Sequence, residues 1–151
     1  MKLAEALQER ADLNRRVAQL RERLSDNALV QEGERPAEDP AEMLAELDSA
    51  IDRLEALIAG INRANSDTIT QGETLTQLLA RRDALKLRVE AYQQLLRAAS
   101  QTWQRATGSE IRVLSAVDVK SLRQRADDLA RDMRKLDNRI QALNWTTDVE
   151  I

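Results

Sequence analysis

The apolar residues of this chain recur at alternating spacings of three and four, and that regularity decides most of what it can fold into. The spacing lays one apolar stripe along each helix, the pattern of coiled coils and helical bundles. Four segments carry it. The first, from about Lys2 to Asp26, has Leu3, Ala6, Leu13, Val17, Leu20 and Leu24 on its stripe. The second opens at Asp39, a good N-cap, with Pro40 suited to the first helical position and Glu42 at capping-box spacing. Its stripe is Leu44, Leu47, Ile51, Leu54, Ile58 and Ile61. The third starts at Thr70-Gln71-Gly72-Glu73 and runs to about Arg105, through Leu75, Leu78, Leu85, Val89, Tyr92, Leu96, Ala99 and Trp103. The fourth starts near 115–118 and holds Val119, Leu122, Ala126, Leu129, Met133, Leu136, Ile140 and Leu143 without a polar interruption. The expected fold is all-α, an antiparallel bundle of four long amphipathic helices with heptad-like seams, in a single domain over residues 1–151.

Connectors have turn chemistry at Asn65-Ser66-Asp67-Thr68 and at Thr107-Gly108-Ser109. The longer one, 27–38, contains a candidate short strand, Ala28-Leu29-Val30-Gln31, and 110–114 is a second, β-branched run. The two could pair as a small two-stranded β ribbon beside the bundle, which would have to support it. Apolar residues outside the stripes, namely Leu7, Leu57, Leu79, Leu87 and Leu95, widen several faces and point to more neighbours than one chain supplies.

The side chains that are missing narrow the chemistry. Among 151 residues there is no cysteine, histidine or phenylalanine. That excludes disulfides, thiolate nucleophiles, zinc fingers and every His-dependent triad. Any metal would be held by oxygen, which favours a divalent cation such as Mg, Mn or Ca over Zn or Cu. The acidic run Glu32, Glu34, Glu38, Asp39, Glu42, Glu46 and Asp48 is the place to look, with Glu32, Glu34, Asp39 and Glu42 as candidate metal ligands. Its spacing matches no EF-hand, and acids at a helix start also complement the macrodipole.

Other motifs read as structure. Asp127-Asp128 with Asp132 is similar to the Mg-diphosphate cluster of all-helical isoprenoid synthases, but Arg123, Arg125, Arg131 and Arg134 interleave to make a solvated, ion-paired face. Glu42 and Glu46 provide half of the paired-glutamate arrangement of helical nucleotide pyrophosphatases and lack the other half. Arg82 and Arg10 sit on stripes, where Asp137 is a candidate partner for Arg82. Gly60 inside a helix suggests a close approach or a bend. No glycine pattern makes a phosphate loop.

The net charge of −3 and two Trp with one Tyr argue against nucleic-acid binding. The longest apolar runs are far short of a membrane span, and no apolar leader precedes the first amphipathic pattern, so no membrane association and a cytoplasmic location are expected.

Four segments are familiar as a set: Asn27-Ala-Leu-Val-Gln-Glu-Gly-Glu-Arg-Pro-Ala-Glu-Asp-Pro40, Ile61-Asn-Arg-Ala-Asn-Ser-Asp-Thr68, Leu78-Leu-Ala-Arg-Arg-Asp83 and Arg134-Lys-Leu-Asp-Asn-Arg-Ile-Gln-Ala-Leu-Asn-Trp145. Together they resemble a small bacterial family of unknown function with some members called septicolysin or septicolysin-like. The resemblance implies a helical homo-oligomer, such as a hexamer, with metal sites near subunit interfaces. It implies no secure activity, and nothing in the sequence builds the apolar helix or alternating strands of a lytic pore. The reading is a helical protein that acts by self-assembly or partner binding without a catalytic site. The alternative is a Mg- or Mn-dependent hydrolase of a phosphorylated small molecule.

Overall fold

The computed structural model describes residues 1–101 and 111–151 and is mainly helical. Its order is α1 (Leu3–Asp26), α2 (Pro40–Asp67), β1 (Ile69–Thr70), β2 (Glu73–Thr74), α3 (Leu75–Ala99) and α4 (Val119–Thr146). The described residues form two compact units, one of Met1–Thr70 with Leu143–Ile151 and one of Gln71–Ala142.

In the first unit α1 and α2 form an antiparallel hairpin. Glu9 accepts two hydrogen bonds from Arg53, at 2.7 and 3.0 Å. Seven residues further along α1, Arg16 Nε donates to Glu46 at 2.6 Å, and after seven more Arg23 Nε donates to Glu38 at 2.9 Å. Partner numbers fall along one helix as they rise along the other, so a ladder of charge pairs sets the register. Between the helices lie Leu3, Ala6 and Leu20 of α1 with Met43, Ala50, Leu57, Ile61 and Ala64 of α2, all buried.

This seam differs from the expected one. Of the predicted α2 stripe only Ile61 is buried, Leu47 and Leu54 are half-buried, and Leu44, Ile51 and Ile58 are exposed. The helix is rotated by about one residue relative to the larger side chains. The small Ala50, Gly60 and Ala64 let partners approach closely, while Leu57, counted outside the stripe, is fully buried.

The same unit clasps the chain ends. Val149 N donates to Met1 O at 2.8 Å and Leu3 N to Thr147 O at 2.9 Å. Lys2 adds an ion pair to Asp148 at 2.8 Å. Gly60 makes room for this clasp, since a Cβ there would lie 2.8 Å from Glu150 O and 3.0 Å from Val149 Cγ1. The close approach expected at Gly60 exists, and what approaches is the tail rather than a helix.

Helix starts follow local chemistry. Asp39 Oδ1 accepts from Ala41 N at 2.9 Å, as its cap role predicts. α3 begins later than expected because 70–73 is a hairpin turn with positive φ at Gln71 (55°) and Gly72 (82°), a pair of values that suits a two-residue hairpin. Thr74 then caps the helix. Its Oγ1 accepts from Gln77 N at 3.2 Å, and Gln77 Oε1 accepts from Thr74 N at 2.8 Å. α2 extends through Asn65-Ser66-Asp67, which leaves only Thr68 of the predicted connector outside it. α3 ends at Ala99 instead of near Arg105, with Ser100 Oγ donating to Leu96 O at 2.8 Å. Trp103 and Thr107-Gly108-Ser109 lie outside the described residues.

A small two-stranded antiparallel hairpin is present, but it joins Ile69–Thr70 to Glu73–Thr74 instead of 28–31 to 110–114, of which residue 110 lies outside the described residues. Residues 28–31 and 111–114 are irregular. The 28–37 loop is closed by Asn27 instead, whose Oδ1 accepts from Glu38 N at 3.0 Å while its Nδ2 donates to Arg23 O at 2.9 Å.

The second unit is built on Leu75, Leu78 and Val89 of α3 and Ala126, Leu129, Leu136 and Ile140 of α4, all buried. The α4 stripe is as predicted, and Asp118 Oδ1 accepts from Ser121 N at its start (3.2 Å). Arg82 pairs with its neighbour Asp83 at 3.0 Å rather than with Asp137. Asp128 accepts from Arg131 at 2.6 Å and from Gln124 at 3.1 Å, the solvated face the sequence implied.

Candidate functional site

The acidic segment has structural work within one chain. Asp39 caps α2, Glu38 binds Arg23 and Glu46 binds Arg16. Glu32, Glu34 and Glu42 are exposed. Among the described residues no group of three or more acidic side chains stands where one ion could be held, so Glu32, Glu34, Asp39 and Glu42 are not brought together. The pairing affects titration. A hydrogen bond from Arg23 holds the Glu38 carboxyl below its ordinary value, against the opposing effect of desolvation. Arg53 does the same for Glu9, and a hydrogen bond and charge from Lys2 do so for Asp148.

Two surfaces are better candidates. On the outer face of α2, Leu44, Ile51 and Ile58 are 49%, 43% and 41% exposed, seven residues apart and therefore in one line. Single exposed leucines are ordinary on any protein, whereas an aligned apolar stripe marks a contact surface. Asp48, Asp52 and Glu55 flank it on one side, and none of them has an ion-pair partner among the described residues.

The second surface lies within the second unit, where α3 and α4 border an open groove of about 540 Å³. Its floor includes Leu85, Leu129 and Leu136, and its rims carry Arg81, Arg88, Arg125, Lys135 and Arg139 against, among the described residues, one carboxylate, Asp132. Arg81 pairs with Glu73, but Arg88, Arg125 and Lys135 have no ion-pair partner among the described residues. Among the described residues no hydroxyl or amide side chain lines the groove, which offers charge and apolar surface. The sequence reading missed it. The available signal was heptad spacing, since Arg81 and Arg88, Leu129 and Leu136, and Arg125, Asp132 and Arg139 each repeat every seven residues.

With the fold in view, the chain can be set beside known proteins. Residues 10–149 match a family of unknown function, DUF6847. The chain belongs to that family. A solved structure, described as that of a functionally unknown conserved protein from Corynebacterium diphtheriae, is 40% identical with a TM-score of 0.91. The alignment covers 99% of each chain. No curated protein matches. Family membership carries no activity, and it gives the septicolysin name no support. None of the described helices is long and apolar enough to cross a membrane.

Proposed function

We propose that this family member acts by self-assembly, as a helical building block whose faces bind other copies. The observation that carries this reading is the Leu44, Ile51 and Ile58 line on α2, an apolar stripe with heptad spacing that faces solvent in one chain. Two helices meeting along such a stripe remove it from water at about 25 cal/mol per Å² of apolar area. The direct test is multi-angle light scattering at micromolar concentration. A mass that is a multiple of 17.1 kDa supports assembly, and a mass of 17.1 kDa refutes it.

A divalent cation near the subunit interfaces belongs to this proposal only as a consequence of assembly, because among the described residues of one chain no three acidic side chains gather where an ion could be held. Calorimetry with Mg, Mn and Ca is expected to show binding in the assembled protein and none in a monomeric variant. Hydrolysis of a phosphorylated small molecule draws no support from these carboxylates, two of whose neighbours, Glu38 and Glu46, are already paired with arginines.

A further inference from the structure

We infer that the α3–α4 groove of one copy is the seat for the outer face of α2 from a second copy. This rests on the self-assembly proposed above and specifies which surfaces meet. Three observations carry it.

The first is charge. The α2 stripe is flanked by Asp48, Asp52 and Glu55, and among the described residues the groove presents Arg88, Arg125 and Lys135 beside one carboxylate, Asp132. Asp48, Asp52, Glu55, Arg88, Arg125 and Lys135 lack ion-pair partners in their own chain among the described residues, so docking would complete pairs without breaking any. The second is apolar fit. Leu44, Ile51 and Ile58 repeat every seven residues, and so do Leu129 and Leu136 on the groove floor. Matching repeats allow the stripe to settle between the two helices as a third strand of a seam. The third is length. Leu44 to Ile58 and Arg125 to Arg139 are each fourteen residue steps apart, about 21 Å of helix.

A stripe meeting a groove is a heterologous contact, because the two patches differ. Stripe against stripe with the two α2 helices antiparallel, an isologous alternative, would place Asp48, Asp52 and Glu55 of two copies on the same side of the contact. The acids therefore favour the groove.

The test uses two full-length variants. Arg88→Glu/Lys135→Glu reverses the groove, and Asp48→Lys/Glu55→Lys reverses the stripe. All four side chains are exposed, and circular dichroism with urea unfolding checks that each variant folds. Should a reversal impair folding, Arg88→Ala/Lys135→Ala and Asp48→Ala/Glu55→Ala replace it. Sedimentation or light scattering is expected to show each reversal assembling at least about tenfold more weakly than wild type. An equimolar mixture of the two reversed variants should recover assembly, since wild-type stripe meets wild-type groove and reversed stripe meets reversed groove. A groove variant that assembles like wild type overturns the inference and leaves assembly through α2 intact. That is also the result if the groove takes an acidic helix of another protein or a phosphorylated small molecule. Failure of the mixture to recover overturns the pairing as well. A wild-type protein that is monomeric removes the underlying reading itself.

Discussion

Gly60 shows how much one missing methyl group decides. It sits inside α2, where glycine costs roughly 1 kcal/mol relative to alanine, and yet it is held there by the chain end lying across it. A Cβ would stand 2.8 Å from Glu150 O, a backbone atom that cannot swing away as a side-chain tip can. Gly60→Ala is therefore expected to destabilise by about 1–2 kcal/mol, the overpacking cost less the helix gain, as a lower urea midpoint with unchanged slope. An unchanged or higher midpoint would show that the tail yields. Charge at the residue scale makes a second prediction. Glu9, Glu38 and Asp148 all titrate below their ordinary values because Arg53, Arg23 and Lys2 hydrogen-bond their ionised forms. A carboxyl lowered in the folded state adds stability at neutral pH, which is lost as pH falls through the folded value. Thermal midpoints should hold level between pH 7 and about pH 5 and fall below about pH 4.5. Glu9→Gln combined with Glu38→Gln should flatten that fall.

At the scale of elements, caps do more than stripes to fix where helices begin. Asp39→Ala should cost about 1 kcal/mol by removing the acceptor for Ala41 N, whereas Asp39→Asn should cost a few tenths at most. The asparagine variant also separates capping from metal binding, because it keeps the cap and loses a carboxylate. Urea midpoints that fell equally for both variants would contradict the cap assignment. These elements differ in how far they could be read from the sequence. The α4 stripe was legible throughout because its heptad has no polar break. Asp39 was legible because N-caps act locally. The α2 seam was not, since small residues chose the buried face: Ala50, Gly60 and Ala64 allow close approach that larger side chains forbid. The start of α3 was misplaced because Thr70 and Thr74 both stand before a plausible capping partner, and only the positive φ of Gln71 and Gly72 turns the first into a hairpin. The ribbon expected at 28–31 with 110–114 asked for a long-range pairing, and a hydrogen bond from Glu38 N to Asn27 closes that loop locally instead. The metal candidates rest on an acidic run in the sequence, and nearness in sequence does not show that the arginines of α1 engage their neighbours Glu38 and Glu46.

For the whole molecule, the open question is what covers the apolar surface that one chain leaves outside. Leu44, Ile51 and Ile58 each leave more than two-fifths of their surface outside the fold of a single chain. Replacing an exposed residue away from caps and buried networks shifts stability by no more than about 0.5 kcal/mol. The same residues would be central in an assembly, where a truncated anchor costs about 2 kcal/mol or more. The two scales therefore predict opposite behaviours for one substitution. Ile51→Asp should leave the helical circular dichroism spectrum and the unfolding slope unchanged while weakening assembly at least about thirtyfold in light scattering. Leu57→Asp supplies the contrast. Its side chain is fully buried, so a charge there should unfold the first unit rather than merely separate copies. If Ile51→Asp unfolded the protein as Leu57→Asp does, the stripe would be part of the core and the assembly reading would lose its basis. If Ile51→Asp left both fold and mass untouched, copies would be meeting through some other face, and the groove between α3 and α4 would be filled by something other than α2.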